Sequence, residues 1–238
     1  MNESSGFPAR FSRFSLMIWI AAALLCLGAA APVQASSEDA ASAQEVVDGA
    51  RAAVANFSAD PDMGWFRDNV KNAKGVFIVP SLVKAGFVFG GSGGNGVLLG
   101  RDEKTGRWSH PAFFTMGSAT FGFAAGIEKS EVILMIMTNK GMDSMLSTSF
   151  KLGADVSVAL GPVGAGAKAQ TADIIAFSRS KGIYGGINLE GAVITTRDAM
   201  NSAYYGKPAR TIDIVVKRSV QNNKADGLIT EVRKVAGK

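Results

Sequence analysis

The spacing of apolar residues changes character partway along this chain. Val46, Val47, Ala50, Ala53, Val54 and Phe57 recur at the interval that lines one face of a helix. Ser42, with Glu45 three positions on, has capping-box spacing and predicts where that helix begins. Asp60-Pro61-Asp62 closes it and opens a second, short helix bearing Met63, Trp65, Phe66, Val70 and Ala73, because proline fits a first helical turn. From Gly75 the helical interval stops. Val76-Phe77-Ile78-Val79 is a β-branched run that reads as a strand ended by Pro80. Further strands are expected over residues 111–116, 119–127 and 131–138. Residues 132–137 are apolar on both alternate sets, which predicts a strand buried on both faces. A helical turn or two is expected over 139–146, and β character resumes at 152–159, 173–178, 182–189 and 192–196. A helix over 198–205 should close at Gly206, with Pro208 just past it. A terminal helix carries Ala225, Leu228, Ile229, Val232 and Val235 on its apolar side.

Between the first two β runs lies the stretch that organises this pattern. Residues 84–100 read Lys-Ala-Gly-Phe-Val-Phe-Gly-Gly-Ser-Gly-Gly-Asn-Gly-Val-Leu-Leu-Gly. Glycines this dense serve where a strand bends sharply or a backbone comes close to another backbone or a ligand. A glycine-rich bulge or turn between paired strands is one reading, and a backbone cradle for an anion is the other.

Two catalytic patterns overlie the block. Gly90-Gly91-Ser92-Gly93-Gly94 matches G-x-S-x-G, whose chemistry needs a helix after the serine and a histidine base within reach. A β-like run follows instead, and the one histidine is His110. A serine hydrolase using Ser92 is therefore the remote alternative. Gly91 to Gly96 also fits G-x-G-x-x-G, again without the helix that would hold a pyrophosphate. The one cysteine, Cys26, lies in the leader described next, so no disulfide, thiol nucleophile or cysteine-ligated metal is expected beyond it. No catalytic residue, metal site or cofactor is assigned.

Arg10 and Arg13 precede an apolar run over 16–31 and then Pro32-Val33-Gln34-Ala35, the layout of a secretory signal with a small-residue cleavage site. Residues 1–35 are read as that signal and 36–238 as one domain, exported to the periplasm or secreted. An uncleaved anchor is the alternative. A lipoprotein through Cys26 is disfavoured because Leu25 stands where a small residue is required.

Ala73 to Pro80, the glycine block, Gly96 to Asp102, Thr105 to Pro111, Lys151 to Asp155, Gly161-Pro162, Gly182 to Gly186 and Asn201 to Gly206 together resemble the SYLF domain family. The resemblance spans nearly all of 36–238. It implies a lipid-binding module, since eukaryotic members bind phosphoinositides and fungal members also bind actin. For an exported chain without an accompanying SH3 or FYVE module, the transferable expectation is binding of anionic bacterial phospholipid, with an envelope protein partner as the alternative. Actin is not expected as its natural partner, and no nucleic-acid partner is expected. The chain is basic, with formal net charge +5. Lys74, Lys84, Arg101, Arg107, Lys129, Arg179 and Lys181 fall at or near expected strand ends, where a barrel mouth would gather them against an anionic bilayer. The expected fold is α+β: a strongly bent, barrel-like antiparallel sheet with helices at its N- and C-terminal ends.

Overall fold

The computed structural model describes residues 33–86, 89–121, 126–164, 171–180, 183–185 and 189–237. Contacts divide the chain into two units, Met1–Ala35 and Ser36–Lys238. Of the first, only 33–35, the beginning of helix α1, are among the described residues. The second holds the fold. Its elements in order are α1 (Val33–Ala59), α2 (Gly64–Asn69), β1 (Gly75–Gly86), β2 (Phe89–Gly100), β3 (Ala112–Phe121), β4 (Gly126–Ile136), α3 (Asn139–Leu146), β5 (Ser149–Lys151), β6 (Val158–Leu160), β7 (Ile174–Ser180), β8 (Ile183–Gly185), β9 (Val193–Thr196), α4 (Asp198–Tyr205), α5 (Thr211–Val215) and α6 (Asp226–Ala236).

The strands form one sheet in the order β5-β9-β3-β2-β1-β4-β7-β6, with β8 added to β7. All neighbours are antiparallel except β6 and β7, which run parallel. The expected α+β fold with a bent sheet and terminal helices is the one observed. Both faces of the sheet are covered. On one face Val76, Ile78, Val97, Leu99, Phe113, Ile133, Met135, Ile175 and Phe177 pack under α1, α2 and α6. On the other Phe77, Val79, Leu98, Phe114, Met116, Val132, Leu134 and Ile136 pack against Met145 of α3, Phe150 of β5 and Ile214 and Val215 of α5. This is why residues 132–136 are apolar without alternation: each side chain has a core to enter, whichever way it points.

Several boundaries differ from the sequence expectation. Helix α1 begins at Val33, so Ser42 lies inside it and caps nothing. Residues 119–127 are not one strand: β3 ends at Phe121 and β4 begins at Gly126, and 122–125 lie outside the described residues. Residues 152–159 are not one strand; 152–157 form a turn closed by a Leu152–Val156 bridge, and only 158–159 are extended, as the start of β6. Pro80 does not end β1, which runs on to Gly86. Proline cannot donate to a ladder and is tolerated at a bulge, and a bulge is what it occupies. Between the pairs Val79↔Val132 and Leu82↔Ser130, residues 80–81 face residue 131 alone. Against β2, residues 79–82 face residues 94–96.

That bulge explains the glycine block. A Cβ on Gly94 would lie 2.4 Å from the Ser81 carbonyl oxygen, and one on Gly96 would lie 2.6 Å from the Ile78 carbonyl oxygen and 2.8 Å from the Phe77 ring. The β1 backbone therefore occupies the space where side chains of β2 would start. On the other side of the sheet, a Cβ on Gly49 of α1 would meet Pro80 Cβ at 2.9 Å, so α1 sits directly on the bulge.

A second tie joins three element ends. Asp173, just before β7, accepts hydrogen bonds from Thr138 Oγ1 (2.6 Å) and from Ser157 N (3.0 Å) and Oγ (2.8 Å). Thr138 in turn caps α3 by accepting from Gly141 N. The Thr138 hydroxyl first, then the Ser157 donors, hold the Asp173 carboxyl down to about 2 from its ordinary 3.8.

Replacing Gly94 by alanine should cost at least about 2 kcal/mol, because a backbone carbonyl must move. Gly93, whose Cβ would meet nothing within 4 Å, should accept alanine within about 0.5 kcal/mol. Urea unfolding of the two variants checks this, and equal costs would contradict the bulge account. Asp173→Asn should cost about 1–3 kcal/mol near neutral pH. A carboxyl with a lowered folded pKa stabilises above its unfolded value, and that contribution disappears as pH falls from 3.8 toward about 2. The unfolding gap between wild type and Asp173→Asn should close over that window.

Candidate functional site

The sheet places the predicted basic residues at two opposite ends rather than at one mouth. Lys74, Arg101 and Arg107 stand where β1 starts and β2 finishes, since Gly75 pairs with Gly100. Lys84, Lys129 and Arg179 stand toward the end where Gly86 pairs with Gly90 and Gly126. At about 3.3 Å per residue the two groups are roughly 30 Å apart along β1. Lys181 lies outside the described residues. Two of the seven are engaged in ion pairs: Lys74 with Glu103, and Arg179 with Glu131 at 3.0 Å. Asn56 Nδ2 of α1 also donates to Glu131 (2.9 Å), so the Arg179 pair ties a helix to the sheet. Among the described residues, Lys84, Arg101, Arg107 and Lys129 have no carboxylate within ion-pair distance.

The first of these ends, the loop end, is built by a tight turn and a short helix. After β2, Arg101 bridges to Trp108. Within the turn, Asp102 Oδ1 accepts from Lys104 N (2.9 Å) and Thr105 N (2.8 Å). Gly106 takes φ +70°, a value that favours glycine. The Thr105 backbone amide is the main reason the Asp102 carboxyl lies below its ordinary value, and Arg218 adds to it. Arg218 approaches from the far side: its Nη2 donates to the Arg107 carbonyl at 3.0 Å, and its Nη1 lies 4.0 Å from Asp102 Oδ2. It does so at φ +53°, the one positive φ outside glycine among the described residues. Such a conformation is held only by surrounding contacts.

Helix α5 completes this end. Val215 Cγ1 would lie 2.5 Å from a Cβ on Gly100, so the helix rests on the last residue of β2. Its outer side leaves Ile212 40% and Val216 54% exposed. Arg210 and Lys217 flank them, both near Asp213. Basic side chains at this end (Lys74, Arg101, Lys104, Arg107, Arg210, Lys217, Arg218) outnumber the carboxylates of Asp102, Glu103 and Asp213. Of these, the sequence reading singled out Lys74, Arg101 and Arg107. It missed Arg218, Lys217, Ile212 and Val216 because Arg218 meets Arg107 across 111 residues of chain. The signal available was local: two apolar residues four apart, set among Arg210, Lys217 and Arg218.

The hydrolase pattern does not form its elbow. Ser92 lies inside strand β2, paired with Lys84 and Ser118, and its Oγ is 2.8 Å from Ser118 Oγ. His110 lies past Trp108, beyond the other end of β2, where its Nδ1 accepts from Asn222 N at 3.4 Å. Burial keeps its imidazole below the ordinary value. The G-x-G-x-x-G match likewise falls within β2, with no helix opening after it.

A gap of about 10 Å³ lies among Val54, Phe66, Val70, Val76, Ile78, Ile133, Val232 and Val235, at the lower limit for one water. An open hollow of about 560 Å³ is lined by Lys140, Asp143, Ser144, Ser147, Ser149, Phe150 and Asp155. Among the described residues no group of three or more His, Cys, Asp and Glu is placed to hold a metal ion, and no helix is long and apolar enough to cross a membrane.

A family model described as "Ysc84: Las17-binding protein actin regulator" matches residues 117–235. The chain belongs to the Ysc84, or SYLF, family. It is 36% identical over 147 residues to LAS seventeen-binding protein 3 of Saccharomyces cerevisiae, covering 58% of this chain and 32% of that protein. It is 34% identical over 145 residues to Protein YSC84 of the same yeast, covering 58% and 31%. To human SH3 domain-containing YSC84-like protein 1 it is 28% identical over 165 residues, covering 67% and 48%. The chain thus spans less than half the length of these relatives. The SYLF stretch Asn201 to Gly206 has a structural task here. Asn201 is fully buried within α4, and its Oδ1 accepts from Phe113 N (2.8 Å), while Tyr205 Oη donates to the Pro111 carbonyl (2.7 Å). Helix α4 then ends at Gly206 with φ +66°.

Because Arg218 is held at a left-handed φ, Arg218→Gly should unfold at higher denaturant than Arg218→Ala by about 1 kcal/mol, although both lose the contact to Arg107. Equal stability of the two variants would show that the backbone is not strained there.

Proposed function

We propose that this SYLF chain is a non-enzymatic module that binds anionic phospholipid at the surface of an envelope membrane through its loop end. The supporting observation is the juxtaposition of Arg101 and Arg107, which have no carboxylate partner among the described residues, with the exposed Ile212 and Val216. Guanidinium groups offer planar paired donors that suit phosphate oxygens. Each basic group near an anionic bilayer contributes about 1 kcal/mol, so several on one face hold a protein where scattered ones do not. Ile212 and Val216 supply apolar contact at the level of the headgroups, the arrangement found in interfacial helices. The roles are therefore Arg101, Arg107, Lys104 and Lys217 on phosphate, with Ile212 and Val216 between them. Lys74 and Arg218 shape the turn through Glu103, Asp102 and the Arg107 carbonyl.

A protein partner is the second reading. It is supported by the family description and by the name of one yeast relative, LAS seventeen-binding protein 3. On this chain the same loop end would then receive an acidic segment of an envelope protein. Lipid headgroup and partner compete for one surface, and crosslinking in the absence of vesicles separates them.

The protein should sediment with phosphatidylglycerol or cardiolipin vesicles, ignore phosphatidylcholine vesicles and dissociate as salt rises. Replacing Arg101 and Arg107 together by glutamine should remove about 2 kcal/mol, a loss of roughly 30-fold in vesicle affinity. Equal binding to neutral vesicles, or an unaltered affinity in the double variant, would overturn the reading.

A further inference from the structure

The opposite end of the sheet has a different chemistry. Residues 85–100 and 112–127 contain no Asp, Glu, Lys, Arg or His. They enter and leave the hairpin end, where Gly86 pairs with Gly90 and with Gly126, and Phe89 pairs with Phe121. The paired ends of β1, β2, β3 and β4 therefore lie side by side here. Ile127, at the start of β4, is 75% exposed, more than any other large apolar side chain among the described residues. Lysines bracket it. Lys84 pairs with Glu128 and Val83 with Lys129, so alternation along the strands puts Lys84 and Lys129 on opposite faces of the sheet. Both are exposed. Glu128 accepts a hydrogen bond from Ser180 Oγ rather than pairing with Lys84.

We infer that this hairpin end is a second bilayer contact, so that one chain joins two anionic bilayers. An uncharged end enters the interface at little desolvation cost, and cations on either face meet the phosphates around it. The inference rests on the reading of the loop end as the first contact. It adds that the protein bridges membranes rather than merely coating one, because the two surfaces point away from each other along β1. A second copy of the chain is the competing occupant of the hairpin end.

The test uses the full chain and phosphatidylglycerol vesicles. Wild type should raise light scattering by clustering vesicles, and clustering should reverse at excess protein as each bilayer saturates separately. Ile127→Glu combined with Lys84→Glu should still sediment with vesicles, within about threefold of wild type, and should cluster none. Unchanged melting of that variant shows that it folds. As a second readout, an environment-sensitive dye on Ile127→Cys, in a Cys26→Ser background, should shift to the blue when vesicles are added and not when protein concentration alone rises. Wild type that sediments but leaves vesicles dispersed overturns the inference while the loop-end reading stands. Wild type that does not sediment overturns both. A dye shift without vesicles assigns the end to a second copy and overturns the bridging.

Discussion

Two backbone carbonyls of β1, those of Ile78 and Ser81, occupy the positions where side chains at residues 96 and 94 of β2 would begin. The sheet can bend there only because β2 carries glycine at both places. The bend is produced by the Pro80–Ser81 bulge, and a bulge both kinks a strand and increases its local twist. Helix α1 rests on the same bulge through Gly49 and Pro80, so one irregularity sets the path of two strands and the seat of a helix. A side chain at 94 or 96 would push β1 away from β2 and lift α1 with it.

The bulge also divides the sheet into parts with different burial. On the side of Gly75 and Gly100, both faces carry packed cores and the strands are closed off by the turn over 101–108 and by α5. On the side of Gly86 and Gly126, Ile127 and the lysines meet solvent. Polar chemistry within the middle of the sheet is spent on structure: Ser92 on Ser118, Asn95 on Thr115, Arg179 on Glu131. Among the described residues, Arg101 and Arg107 at one end and Lys84 and Lys129 at the other have no such ion-pair partner.

Much of this was legible in the residues. The helical stripe of α1, the doubly buried β4, the glycine that ends α4 and the apolar face of α6 all follow from local spacing, because each depends on neighbours within a few residues. Pro80 misled for a physical reason. Whether proline ends a strand or sits in a bulge depends on which residues of β2 and β4 stand opposite, and no local pattern states that. Residues 119–127 misled similarly, since their uncharged composition hides the change of direction between β3 and β4. The basic residues were recognisable as strand-end residues, but their division between two ends required the strand pairing. Arg218, Lys217, Ile212 and Val216 join Arg107 only through the packing of α5 on Gly100.

Hydrogen–deuterium exchange of the full chain, with and without phosphatidylglycerol vesicles, bears most directly on whether a rigid bent sheet meets lipid at its rim. The account predicts added protection over residues 101–107 and 210–218, with the β1, β2 and β4 centres unchanged. Protection absent from both loop segments, or confined to the strand interior around Ser92 and Ser118, would contradict it.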